Sequence, residues 1–185
     1  VAVAVFGPVT STTNLFYIND LSLGVYTRTT TNPLKVAVAA IPKRSVVKFA
    51  FPGSIPAGAI ITKVELSGEI VTYPGTTPDV EVVSMLNNFD VTDSDEDLYN
   101  YIDAGYAHYI WTPAGVGAFN TDLGVDFVFD AQTGLDSAVA HWLIGMKIQS
   151  GDTGTVDFAR ATGLTLTVTY VVPGLGGSDL LQKVF

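Results

Sequence analysis

The chain is 185 residues long, 48% hydrophobic and only 15% charged, with a formal net charge of -9. That length suits one domain with room for a sizeable core, while the charged share falls well below the roughly one quarter usual for a soluble chain. Nine Lys and Arg residues spread thinly make no basic footprint, so the expectation is no nucleic-acid partner and no attraction to an anionic membrane.

Cysteine is absent. Disulfides, thiolate metal sites, iron–sulfur clusters and cysteine nucleophiles are therefore excluded. No run approaches the ~18 apolar residues of a spanning helix, so no membrane insertion is expected. The opening Val1 to Phe6 lacks a basic region and is too short for a signal peptide. The expectation is a signal already removed, or none, with loss of an initiator Met giving the same start.

In chain order, the dominant pattern is period-two alternation, the mark of half-buried strands. Val1 to Phe6 predicts a strand-like arm that stops at Gly7-Pro8. Leu15 to Ile18 is the next strand, and Val25 to Arg28 carries a weaker form of the pattern. Leu34 to Ala40 and Ser45 to Phe51 follow, flanking a turn at Ile41 to Arg44. Ile60 to Tyr73 predicts one long strand whose phase slips near Gly68, where a bulge would reconcile the two halves. Asp79 to Leu86, Val125 to Asp130, Met146 to Gln149, Thr155 to Phe158 and Leu164 to Val172 complete the expected strands.

Two stretches predict helices. Ser94 with Asp97, or Thr92 with Asp95, would cap a helix from about Ser94 to Asp103 that ends at Gly105. The second runs from Asp136 to Ile144, with Asp136 as N-cap, Gly145 as C-cap, and Leu135, Val139, Trp142 and Leu143 on one face. Many short strands, Gly/Pro turns and two short helices in connections predict an all-β, jelly-roll-like antiparallel β-sandwich. The expected organisation is an apolar arm over 1–14, the sandwich over 15–172 and a Gly-hinged tail over 173–185. The arm offers Val1, Val3, Val5 and Phe6, and the tail Leu180, Leu181, Val184 and Phe185, as expected contacts with neighbouring molecules.

Five stretches together carry a family resemblance. They are Lys43 to Phe49, Ile55-Pro-Ala-Gly-Ala-Ile-Ile-Thr-Lys-Val-Glu-Leu66, the trio Val139, Trp142 and Gly145, Val156-Asp-Phe-Ala-Arg160, and Leu164-Thr-Leu-Thr-Val-Thr-Tyr170. In order and spacing they resemble the DNRLRE domain, a β-sandwich module related to carbohydrate-binding modules and found in archaeal and bacterial surface proteins. Lys48 stands where that family has a second Arg. Ala159, Ala161 and Gly163 stand for its Ser, Glu and Pro. The resemblance spans Leu15 to Tyr170 with gaps and matches poorly from Asp79 to Asp130. It implies a jelly-roll-like sandwich without catalysis, in which some relatives bind polysaccharide and others build surface structures.

Chemistry-bearing residues are few. His108 and His141 lack a metal-spaced partner, and structural or surface roles are expected for both. Gly115-Val-Gly117 and Gly174-Leu-Gly176 lack the strand-to-helix setting of a phosphate loop. Asp93, Asp95 and Asp97 have the alternate spacing that opens a Ca²⁺ loop, but Leu98 occupies the position that needs Gly and Ala104 the one that needs Glu. A helix start explains these acids better, and no cofactor is expected. Tyr99, Tyr101, Tyr106, Tyr109 and Trp111 form an aromatic-rich stretch. Tyr106, Tyr109 and Trp111 are the candidate glycan platform, set against the commoner core or interface role of such rings.

The leading expectation is a non-enzymatic structural subunit of a virion surface, such as a phage decoration or fibre-type protein, with copies of itself and other structural proteins as partners. An extracellular filament or cell-surface subunit that donates a strand is the alternative, a polysaccharide-binding adhesive module the next. A hydrolase comes last, because no spacing selects a nucleophile, a base or a carboxylate pair.

Overall fold

The computed structural model describes residues 1–7, 15–22, 24–30, 33–38, 41–73, 78–86, 89–104, 109–159 and 163–174. Among them the strands are β1 (Ala2–Phe6), β2 (Leu15–Ser22), β3 (Val25–Thr29), β4 (Leu34–Val38), β5 (Lys43–Phe49), β6 (Ile60–Thr72) and β7 (Val80–Ser84). After helix α1 (Asp95–Ala104) come β8 (Tyr109–Trp111) and β9 (Gly117–Asp122). Helix α2 (Gly124–Asp136) precedes β10 (Trp142–Ile148), β11 (Gly154–Phe158) and β12 (Thr165–Val171). Every pairing is antiparallel, and the fold is the all-β, sandwich-like one expected.

The strands form one curled sheet along the path β1-β12-β6-β11-β4-β5-β10-β7-β8, with β2 and β3 leaving from β5 and β9 from β6. Curling brings Val64, Leu66, Leu166 and Val168 of the β6–β12 side into one core with Val47, Phe49, Ile144 and Met146 of the β5–β10 side. Trp142 sits at its centre, fully buried, with its ring 5.2 Å from Phe51 and 5.6 Å from Phe127. Its indole N–H donates to Ser84 Oγ at 2.9 Å, so the large ring enters the core with its polar atom satisfied.

The β5–β10 side is buried on both faces. A second cluster of Phe16, Ile18, Val46, Val83, Met85 and Leu143 lies on its outer surface, covered by Leu98, Tyr99 and Ile102 of α1. Arg44 stacks its guanidinium 3.6 Å from the centre of the Tyr99 ring and donates to the Tyr99 carbonyl at 2.8 Å. As expected, Ser94 caps α1: its Oγ accepts the Asp97 N–H at 3.1 Å and donates to Asp97 Oδ2 at 2.6 Å.

Two expected elements are corrected. Val125 to Asp130 is the start of α2, not a strand. Phe127, Ala131, Gly134 and Leu135 are its buried residues, a spacing of four and three that belongs to a helix. The false alternation came from Val125 and Phe129, which stand 77% and 70% exposed on the solvent side of the first two turns. Conversely, Asp136 ends α2 instead of opening a helix, and Trp142, Leu143, Ile144 and Gly145 lie in β10. With α1 on one side and the core on the other, β10 hides both faces and shows no alternation.

The expected bulge at Gly68 is also relocated. Gly68 pairs in unbroken register with Phe119 of β9. The shift falls at Thr62, skipped where Lys63 pairs with Thr169 and Ile61 with Tyr170. A second shift lies at Val71, where Thr72 pairs with Asp157 and Ile70 with Phe158. Gly68 instead lies close beneath two side chains: a Cβ there would lie 2.7 Å from Leu164 Cδ2 and 3.1 Å from Phe119 Cε1. The opening segment, expected as an arm, is β1, paired along its length with β12, from Ala2 with Tyr170 to Phe6 with Leu166.

Candidate functional site

The acidic turn before α1 is a clasp. Arg28 of β3 lies with its guanidinium 4.0 Å from the centre of the Phe16 ring. From there its Nε donates to Asp95 Oδ1 at 2.7 Å, one amino group to the Val91 carbonyl, and the other to the Asp93 carbonyl at 3.0 Å. Asp93 accepts the Asp90 N–H at 2.7 Å, and Asp97 faces the cap Ser94. Asp93, Asp95 and Asp97 are thus directed at three different partners and do not converge. No group of three or more His, Asp or Glu side chains placed to hold a metal ion stands among the described residues.

Asp90 Oδ2 accepts from Lys48 Nζ at 3.0 Å, and His141 Nε2 lies 3.1 Å from the same oxygen. Burial pushes this carboxyl up, but the Lys48 hydrogen bond and charge, the Thr92 amide and His141 outweigh it. The group sits below its ordinary value of 3.8. A depressed carboxylate stabilises the fold above its unfolded pKa, and that contribution is lost as pH falls through the folded value. Lys48→Met should therefore lower the urea midpoint at neutral pH, with the difference from the parent shrinking on acidification below about pH 4. Because the Asp90 side chain is 35% exposed, the effect should be small. A difference unchanged down to pH 2 would show that Lys48 acts by packing alone.

The aromatic stretch divides. Tyr106 and His108 lie outside the described residues. Tyr99 is buried under Arg44, and Tyr101 stacks 4.5 Å from Phe89. Tyr109 packs against the main core, and its Oη lies 2.9 Å from Thr121 Oγ1, so it holds β8 to β9. Trp111 is half-buried, its ring 4.5 Å from Phe119 and 6.4 Å from Phe158. Trp111 and Phe119 form one wall of a cleft of about 360 Å³, completed by Ile70, Thr112, Val116 and Asn120. The cleft opens where the chain crosses from β8, paired to β7, to β9, paired to β6. Tyr73 Oη donates to the Pro113 carbonyl at 2.9 Å, and Thr112 Oγ1 donates to Asp79 Oδ1; together they fix the crossing loop. Sequence reasoning found Trp111 and missed Phe119 and Ile70, which adjoin it only through strand pairing.

The opening strand has two faces. Ala4 and Phe6 are buried, with the Phe6 ring 5.6 Å from Phe51, so Phe6 is committed to the chain's own core. Val1, Val3 and Val5 point outward at 98%, 57% and 63% exposure. Leu180, Leu181, Val184 and Phe185 lie outside the described residues. No described helix is long and apolar enough to cross a membrane.

No protein-family model matches the chain, and a search of curated proteins finds no match either. The functional reading therefore rests on the geometry above.

Proposed function

We propose that this chain is a non-enzymatic structural subunit of an exposed assembly, a virion decoration or fibre-type protein in the first instance, with an extracellular filament or cell-surface subunit as the cellular counterpart. The observation that carries it is the pair Val3 and Val5, exposed on a strand at the end of the sheet. An apolar sheet end in water is a liability unless another molecule covers it. The charged groups favour the same reading. Arg28, Lys35, Arg44, Lys48, Lys63 and Lys147 each engage the chain's own carboxylates or carbonyls, so they serve the scaffold. Native mass measured across a concentration series tests the proposal: growth beyond the monomer supports it, and a strict monomer at the highest soluble concentration counts against it.

A second reading, an adhesive polysaccharide-binding module, is favoured by the Trp111–Phe119 wall with Thr112 and Asn120 beside it. Apolar ring faces flanked by hydrogen-bonding groups suit a sugar ring. On this reading, retention on immobilised polysaccharides should fall at least tenfold in Trp111→Ala, with circular dichroism verifying the fold. Equal retention of both proteins, or of neither, removes it.

A further inference from the structure

The sheet has four end strands among its described residues: β1, β3, β8 and β9. Three are protected in the ways that edges usually are. β8 is three residues long, β9 carries exposed Asn120 and Asp122, and β3 carries Arg28 and lies against α1. β1 has no charge, no proline and no register shift. We propose that β1 is a self-complementary seam, which pairs antiparallel with β1 of a second copy so that the sheet continues across a two-fold axis. This deepens the assembly reading and rests on it.

The register follows from the side chains. Pairing with Ala4 opposite Ala4 sets Val3 against Val5 of the second copy on the outward face. On the core side it sets Ala2 against Phe6, small beside large. Any antiparallel register whose paired positions sum to an even number keeps outward residues with outward ones, and this one overlaps the whole strand. Two parallel copies would not share one edge in this way.

The self-matching register favours a second copy as occupant, and the absence of charge on β1 permits it. Two chains of net charge -9 repel, so they meet most readily where neither brings charge to the seam. β12, the neighbour of β1, presents Thr165, Thr167, Thr169 and Val171 outward. Among the described residues, the nearest charged side chains on that face, Lys63 and Glu65, lie on β6, two strands in, roughly 10 Å from β1. That is about one screening length at physiological salt. A five-residue seam buries far less than the ~1,600 Å² of a stable complex. It is a weak contact by itself, strengthened where copies are repeated in an array.

A chain without cysteine makes the test clean. Under mild oxidation, Val3→Cys mixed with Val5→Cys should form disulfide dimers several-fold faster than either variant alone. The mixture should also outpace Val125→Cys, which is 77% exposed on α2 and reports random collision. Equal rates in the mixture, in each variant alone and in Val125→Cys overturn the seam. Val5→Lys, at a site already 63% exposed, should keep the parent's melting temperature and lose the dimer. If Val5→Lys still assembles as the parent does, the seam is wrong while the assembly reading stands. If the parent stays monomeric and no selective disulfide forms, both fail.

Discussion

Replacing Trp142 with Ala is expected to cost about 3–5 kcal/mol, the range for emptying a large aromatic from a packed core. For a chain of this size that corresponds to a loss of about 10 °C or more in melting temperature. Three features put the site at the high end. The ring is fully buried, two further rings close on it, and its N–H is bonded to Ser84 inside the core. Phe51 follows β5 and Phe127 belongs to α2, so the residues that would have to collapse into the cavity are tethered to different elements. Collapse is therefore limited, and residual cavity volume governs the cost. Trp142→Phe keeps part of the ring contact while losing one ring of the indole and the bond to Ser84, and should lose less than the alanine variant. Thermal and urea unfolding of the two variants measures this. A cost under about 1 kcal/mol for the alanine variant would show that the cluster is not the centre of the core.

The fold class was legible because most of the strands have one wet face. β12 alternates without interruption, with Leu166, Val168 and Tyr170 inward and the threonines outward, and the sequence pattern follows it residue for residue. The Ser94 cap was legible because it is local chemistry over four residues. Legibility failed wherever burial came from something distant. β10 hides both faces because α1 lies over it, and the position of α1 is not written in β10. α2 exposes Val125 and Phe129, so its opening turns imitate a strand. The candidate site failed in the same way. Trp111 stood out by type, but its cleft needs Phe119 and Ile70, which β8, β9 and β6 bring together by pairing. Arg28 is one of nine cations, and nothing in its neighbourhood along the chain foretells that it clasps a turn more than sixty residues away.

Gly145 gives the second large effect, and here two physical terms oppose each other. In the middle of a strand, alanine is favoured over glycine by roughly 0.5–1 kcal/mol on backbone grounds, so Gly145→Ala ought to stabilise β10. The contact argues the reverse. A Cβ at this position would lie 2.6 Å from Ile102 Cγ1, 3.0 Å from Ile102 Cδ1 and 3.2 Å from Met85 Sδ. Ile102 is fully buried and sits on α1, so it gains room only if the helix lifts from the sheet. Overpacking of this kind costs about 1–3 kcal/mol, which exceeds the backbone gain. The expected result is a net loss of stability, with faster amide exchange over Asp95–Ala104 and little change in β12. Ile102→Ala alone should cost about 2–5 kcal/mol. In the Gly145→Ala background it should cost at least 1 kcal/mol less, because the new methyl occupies part of the space that Ile102 vacates. Additive losses in the double variant would mean that Gly145 and Ile102 do not meet, and that α1 is seated elsewhere on the outer face. Stabilisation by Gly145→Ala alone would say the same, since propensity would then have prevailed unopposed.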